Sequence, residues 1–100
     1  MTKRASMSPE DRKIGIAIEK IRRMTDENDH NGAVLELAKL VGDPVAIKGM
    51  KAMKVLHEHH GHMPYELIQM RNQILLGLEG QFKKKFHKYP YRWRMLAEAF

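Results

Sequence analysis

The stretch AVLELAKLVGDPVAIKGMKAMKVL, residues 33–56, decides the fold class. In its first half Val34, Leu37, Ala38 and Val41 recur at intervals of three and four, the period of one helix face. Gly42 ends that pattern, as glycine does after a helix. Asp43-Pro44 restarts it, with an acceptor side chain at the N-cap and proline at the first helical position. The second half carries Val45 or Ala46, Gly49, Met50, Met53 and Leu56 on its apolar side, and Lys48, Lys51 and Lys54 on the other. Two helices joined by a tight turn are expected here.

Outward from this pair the same signals recur. Ser8-Pro9-Glu10-Asp11 is a cap, a proline and two acids suited to the positive end of a helix dipole, and Ile14, Ala17, Ile18, Ile21 and Met24 form one apolar stripe behind it. The polar run Thr25–Gly32 reads as a loop. The helix opened by Asp43-Pro44 runs to about Gly61, and Pro64 opens another through Ile68, Arg71, Leu75, Leu78, Phe82 and Phe86, with Gly77 and Gly80 as weak points. Pro90 begins a final short helix bearing Trp93, Leu96, Ala97 and Phe100. No useful length alternates apolar and polar residues with β-branched enrichment, so no sheet is expected. The reading is all-α: a small bundle of about five short helices forming a single domain over residues 1–100. Residues 1–7 are an arm whose order the sequence leaves open, and 82–94 a basic-aromatic segment.

The stretch from Ala33 to Leu56 resembles one helical-hairpin unit of the HEAT type, with Asp43-Pro44 in the turn. A solenoid needs about three or more such units to bury a core, and one is present. The resemblance implies helix-pair packing and carries no function.

With 43 % hydrophobic and 30 % charged residues in 100, the chain suits one folded core and not two. There is no cysteine, which excludes a disulfide framework, a thiolate metal site and a cysteine nucleophile, and is compatible with a reducing cytoplasm. The opening MTKRASMSPEDRK has basic residues with no apolar stretch behind them, unlike a secretory signal, and no apolar run approaches the roughly 20 residues that cross a bilayer. A cytoplasmic protein without a membrane partner is expected. Ser6 and Ser8, the only serines, precede the first helix; the acids are scattered; no glycine-rich loop could cradle a phosphate. Neither enzymatic chemistry nor a cofactor is expected.

The net charge is +6, and its location is informative. FKKKFHKYPYRWR, residues 82–94, holds Lys83, Lys84, Lys85, Lys88, Arg92 and Arg94 and no acid; without them twelve basic residues face twelve acids. Lysines neutralise phosphates and release counterions, arginine offers a planar fork of donors, and Tyr89, Tyr91 and Trp93 could stack on bases. In the plainer alternative, Phe82 and Phe86, and Trp93 with Leu96 and Phe100, are core, and the lysines are the solvated side of a last helical turn. Both hold together with rings inside and charges outside. Lys48, Lys51 and Lys54 would extend such a footprint.

Three further features compete for attention. In LAKLVGDPVAIKGMK, residues 37–51, Ala38 and Gly42 stand where a DNA-reading helix-turn-helix has its small residue and turn glycine. Against that, Asp43 occupies a usually apolar place and Lys48 lies near a usually buried one. HEHHGHMP gathers His57, His59, His60 and His62, yet the metalloprotease pattern fails because Gly61 stands where its second histidine would be. We read the run as a histidine-rich helix end, not a metal site. Among the eight methionines, Met50 and Met53 suit the core, and Met63 and Met70 suit core or an adaptable partner surface.

The sequence therefore points to a small helical binding protein. Its partner is nucleic acid, held through phosphates, or an acidic or nucleic-acid-handling protein that it regulates or inhibits. The second character is common, by analogy only, among small helical proteins of phages and mobile elements. Self-association is a further expectation that composition leaves open.

Overall fold

Ser8 starts the first helix as expected: its hydroxyl accepts a hydrogen bond from the Asp11 amide at 3.0 Å, and Pro9 follows at the first helical position. The structure, a computed structural model, describes residues 8–89. Among them are four helices, α1 (Pro9–Asp26), α2 (His30–Val41), α3 (Pro44–His60) and α4 (Tyr65–Lys85), and no strand. Four replace the expected five or so; the helix expected from Pro90 and the arm before Ser8 lie outside the described residues.

The run Thr25–Gly32 is not the loop its polarity suggested. Thr25 and Asp26 complete α1, where the buried Thr25 hydroxyl donates to the Ile21 carbonyl at 2.9 Å. Asn28 takes a left-handed conformation at φ 64°, and the Asp29 carboxylate accepts from the Gly32 amide at 3.1 Å. A Cβ on Gly32 would collide with that carboxylate, so glycine lets the cap close. Only Glu27–Asp29 remain between the helices.

This turn delivers α2 into the middle of the molecule. Asn31, Gly32, Ala33, Val34, Leu35, Leu37, Ala38 and Val41 are all buried, so α2 is covered on most sides, as a helix apolar nearly all round requires. One cluster joins its apolar residues from Ala33 to Val41 to Ile21 of α1, Ala46, Met50 and Met53 of α3, and Leu75, Leu78 and Phe82 of α4. The described residues thus share a single core.

α2 ends as expected: Gly42 adopts φ 78°, a conformation that disfavours any residue with a Cβ. Asp43 then caps α3, one carboxylate oxygen accepting from the amides of Val45 and Ala46 at 3.1 Å each. Ala46, Met50 and Met53 face the core. Of the alternatives Val45 and Ala46 it is Ala46 that is covered, Val45 being 80 % exposed; Gly49 lies against Ile74 of α4 at 3.6 Å, measured from an added Cβ, but Leu56 is 41 % exposed. Helical spacing carries Val45 and Leu56 round from the Met50–Met53 line. α4 runs unbroken through Gly77 and Gly80, whose open surroundings make them tolerable in a helix that packing already holds. None of the described helices is long and apolar enough to cross a membrane.

Candidate interaction surface

The described part of the basic-aromatic segment divides between core, internal pairing and solvent. Phe82 is fully buried and Phe86 half-buried, their rings 5.3 Å apart, and the Tyr89 ring meets Phe86 edge-on at 6.5 Å. Tyr89 is turned inward: its hydroxyl donates to the Asp11 carboxylate at the start of α1. Lys88 pairs with the same carboxylate at 3.1 Å. The Tyr89 and Lys88 hydrogen bonds hold the Asp11 carboxyl below its ordinary range, and Asp11 in turn raises both partners. The Lys85 amine donates to the Val41 carbonyl at 2.8 Å, satisfying an end carbonyl of α2. Lys83 and Lys84 are exposed. All four lysines are exposed, with Lys85 and Lys88 also engaged within the chain. Tyr91, Arg92, Trp93 and Arg94 lie outside the described residues.

The cations of α3 are arranged differently. Lys48, Lys51 and Lys54 are exposed and follow one another at three-residue steps, which makes neighbours of them on a helix surface. None takes part in the ion pairs that Lys20, Arg22, Lys39 and Lys88 form. Glu58 is the only acid in α3. Beside this ridge, at steps of three, four and seven, lie Val45, Ala52, Val55 and Leu56; Val45 and Val55 are 80 % and 63 % exposed.

Asp43 fixes where the ridge begins. Its second oxygen accepts from the Gln81 amide at 2.7 Å, tying the end of α4 to the start of α3. Those bonds, Gln81 first and the two α3 amides after it, lower the Asp43 carboxyl below its ordinary range. Lys83 and Lys84 thus sit at the same end of the bundle as the start of α3, and Lys48 follows about 7 Å along the axis at ~1.5 Å per residue. Lys48, which lies near a place usually buried in a helix-turn-helix, is exposed.

The histidines spread out. His57 is half-buried and hydrogen-bonded to Asn31 at 3.1 Å, whereas His59, His60 and His62 are exposed. The His59 and His60 rings meet edge-on at 5.3 Å, and His62 Nδ1 lies 3.2 Å from the His60 carbonyl. Among the described residues no three potential metal-ligating side chains converge. Met50 and Met53 are core, Met63 is half-buried, and Met70 is 54 % exposed.

Sequence reasoning placed Arg71 on the apolar stripe of α4 without giving it a task. It is 6 % exposed and donates to Asn31, itself 7 % exposed, at 2.7 Å. Burial lowers the Arg71 guanidinium from its usual range. Burial, and then the Arg71 charge, lower His30. The available signal was an arginine in register with Leu75 and Leu78, with an asparagine one residue before a glycine-opened apolar helix.

No family model, curated protein or solved structure matches the chain.

Proposed function

We propose that this chain is a non-enzymatic binding protein that contacts DNA or RNA through the phosphate backbone, with the outer face of α3 as its principal surface. One observation carries the reading: Lys48, Lys51 and Lys54 form an exposed ridge that no carboxylate of the described residues neutralises. Successive lysines at this spacing present positive charge along one line, which suits a row of phosphates and displaces condensed counterions. Lys84 adds charge at the end where the ridge begins. The overall charge of +6 favours encounter with a polyanion.

The test is a titration of fluorescent duplex and single-stranded oligonucleotides with the intact chain at low ionic strength. Saturable binding that weakens steeply with salt supports the reading; an unchanged signal up to high protein concentration overturns it.

A second reading is favoured by Val45, Ala52, Val55 and Leu56, which a phosphate backbone does not need. An acidic protein would use the lysines for steering and these apolar side chains as anchors. Stoichiometric capture that survives nuclease treatment and fails with Val55→Asp assigns the surface to a protein.

A further inference from the structure

The exposed side of α4 is unlike that of α1. On α1 it carries Arg12, Lys13, Glu19, Lys20, Arg22 and Arg23, as a helix facing water does. On α4 every exposed residue from Gln69 to Gln81 is uncharged, although 30 % of the chain is charged. Met70 and Leu76 within that run are 54 % and 62 % exposed. Loss of charge from an exposed face is the mark of a surface that another protein covers.

The face continues onto α3. The two helices meet where Gly49 lies against Ile74, 3.6 Å from an added Cβ. At ~100° per residue Val45, Ala52 and Leu56 turn toward this seam, and Lys51 and Lys54 turn away from it. Glu66 and Lys84 close the face at its two ends. Both are exposed, and neither pairs with an opposite charge among the described residues. They stand eighteen positions apart, about five turns, and so lie on one line along α4.

We propose that this face joins two copies of the chain, with α4 antiparallel to α4 of the second copy about a two-fold axis level with Leu75. That axis sets Glu66 of each copy against Lys84 of the other, so one acid and one cation become two ion pairs. It also brings Met70 level with Gly80 of the second copy, and Gln73 level with Gly77. Among the described residues nothing lies within 4 Å of a Cβ added to Gly77 or Gly80. Packing inside the chain therefore does not call for these helix-weakening residues, whereas a second helix that must come close does.

Charge assigns the occupant. A phosphate backbone would meet no cation between Gln69 and Gln81. An unlike partner of one sign would be attracted at one end of α4 and repelled at the other. A second copy turned end for end is matched at both, as a self-complementary two-fold contact requires. The size agrees. α4 spans ~31 Å, and with α3 ~8–10 Å beside it the face is ~20 Å wide, or about 600 Å² on each copy. A total of about 1,200 Å² is the low end for a specific interface and suits a reversible, micromolar dimer. Lys51 and Lys54 stay outside the contact, so the pairing does not rest on the nucleic-acid reading.

The experiment is sedimentation equilibrium of the full chain from low micromolar to millimolar concentration, without nucleic acid. The expected result is a monomer–dimer equilibrium. Glu66→Lys or Lys84→Glu alone sets like charges together twice and should weaken the dimer on the order of tenfold. Mixed in equal amounts, these two variants should pair with each other as strongly as wild type, because each carries the charge the other needs. Met70→Glu should abolish pairing while leaving the circular dichroism of this exposed site's helix unchanged. The inference is overturned if the wild-type chain stays a monomer throughout, which leaves the face to an unlike protein. It is overturned equally if dimers persist in Met70→Glu, or if the two charge variants pair no better mixed than apart.

Discussion

Replacing Asp43 by alanine removes three hydrogen bonds at the point where α3 is aimed. The carboxylate accepts from the Val45 and Ala46 amides at 3.1 Å and from Gln81 at 2.7 Å. Loss of an N-cap costs about 1 kcal/mol, and a bond between solvent-accessible side chains about 0.5–1 kcal/mol. Asp43→Ala should therefore cost about 1–2 kcal/mol. For a domain of this size that is a fall in Tm of roughly 5–15 °C, followed by circular dichroism at 222 nm. Gln81→Ala isolates the cross-helix bond and should cost less than half as much; Asp43→Asn, which keeps an acceptor at the cap, should also be mild. The carboxyl is lowered in the folded chain, so its contribution is present above the unfolded value of 3.8 and is lost as pH falls through the folded one. The gap between wild type and Asp43→Ala should accordingly close below about pH 3.8. An Asp43→Ala cost no larger than that of Gln81→Ala would refute the capping argument.

Three other outcomes follow from the same structure. Phe82, fully buried beside Leu78 and Phe86, should cost about 3–5 kcal/mol on truncation to alanine, read as a large fall in the midpoint of a urea titration. Gly42→Ala should cost about 1–2 kcal/mol in the same titration, through the φ of 78° alone, because the nearest atom to an added Cβ is the Lys85 amine at 3.8 Å. Burial and Arg71 disfavour the protonated form of His30 in the folded chain, so the unfolded chain binds more protons as pH falls past 6.5. The urea midpoint should drop between pH 7.5 and pH 5.5, and His30→Phe should flatten the part of that drop which belongs to His30.

The helix boundaries most legible in the sequence were those written in capping chemistry. Ser8-Pro9, Gly42, Asp43-Pro44 and Gly61 act locally, through their own side chains or backbone freedom, so no knowledge of the remaining chain was needed. The start of α2 was illegible because its first turn is polar for a tertiary reason. Asn31 is buried against Arg71 and His57, residues 40 and 26 positions away, and no local pattern anticipates such partners. The choice between Val45 and Ala46 stayed open and Leu56 was misplaced on α3, because only the crossing with α4 at Gly49 and Ile74 decides which edge of the stripe is covered.

The candidate surface was legible as charge and illegible as geometry. Lys48, Lys51 and Lys54 stand outward together because they share one helix. The lysines after Phe82 differ, since Lys88 reaches Asp11 and Lys85 reaches Val41, contacts spanning 77 and 44 positions. The densest run of cations in the sequence is thus partly spent on the fold, and the proposed surface rests on the sparser run of α3.

The dependence of nucleic-acid affinity on salt tests that assignment most directly. Each phosphate neutralised contributes about 0.9 to the slope of log K against log salt on duplex DNA. The account predicts that Lys48→Ala/Lys51→Ala/Lys54→Ala makes the slope shallower by about 2–3, while Lys88→Ala leaves it unchanged. Identical slopes for wild type and the triple variant would contradict it.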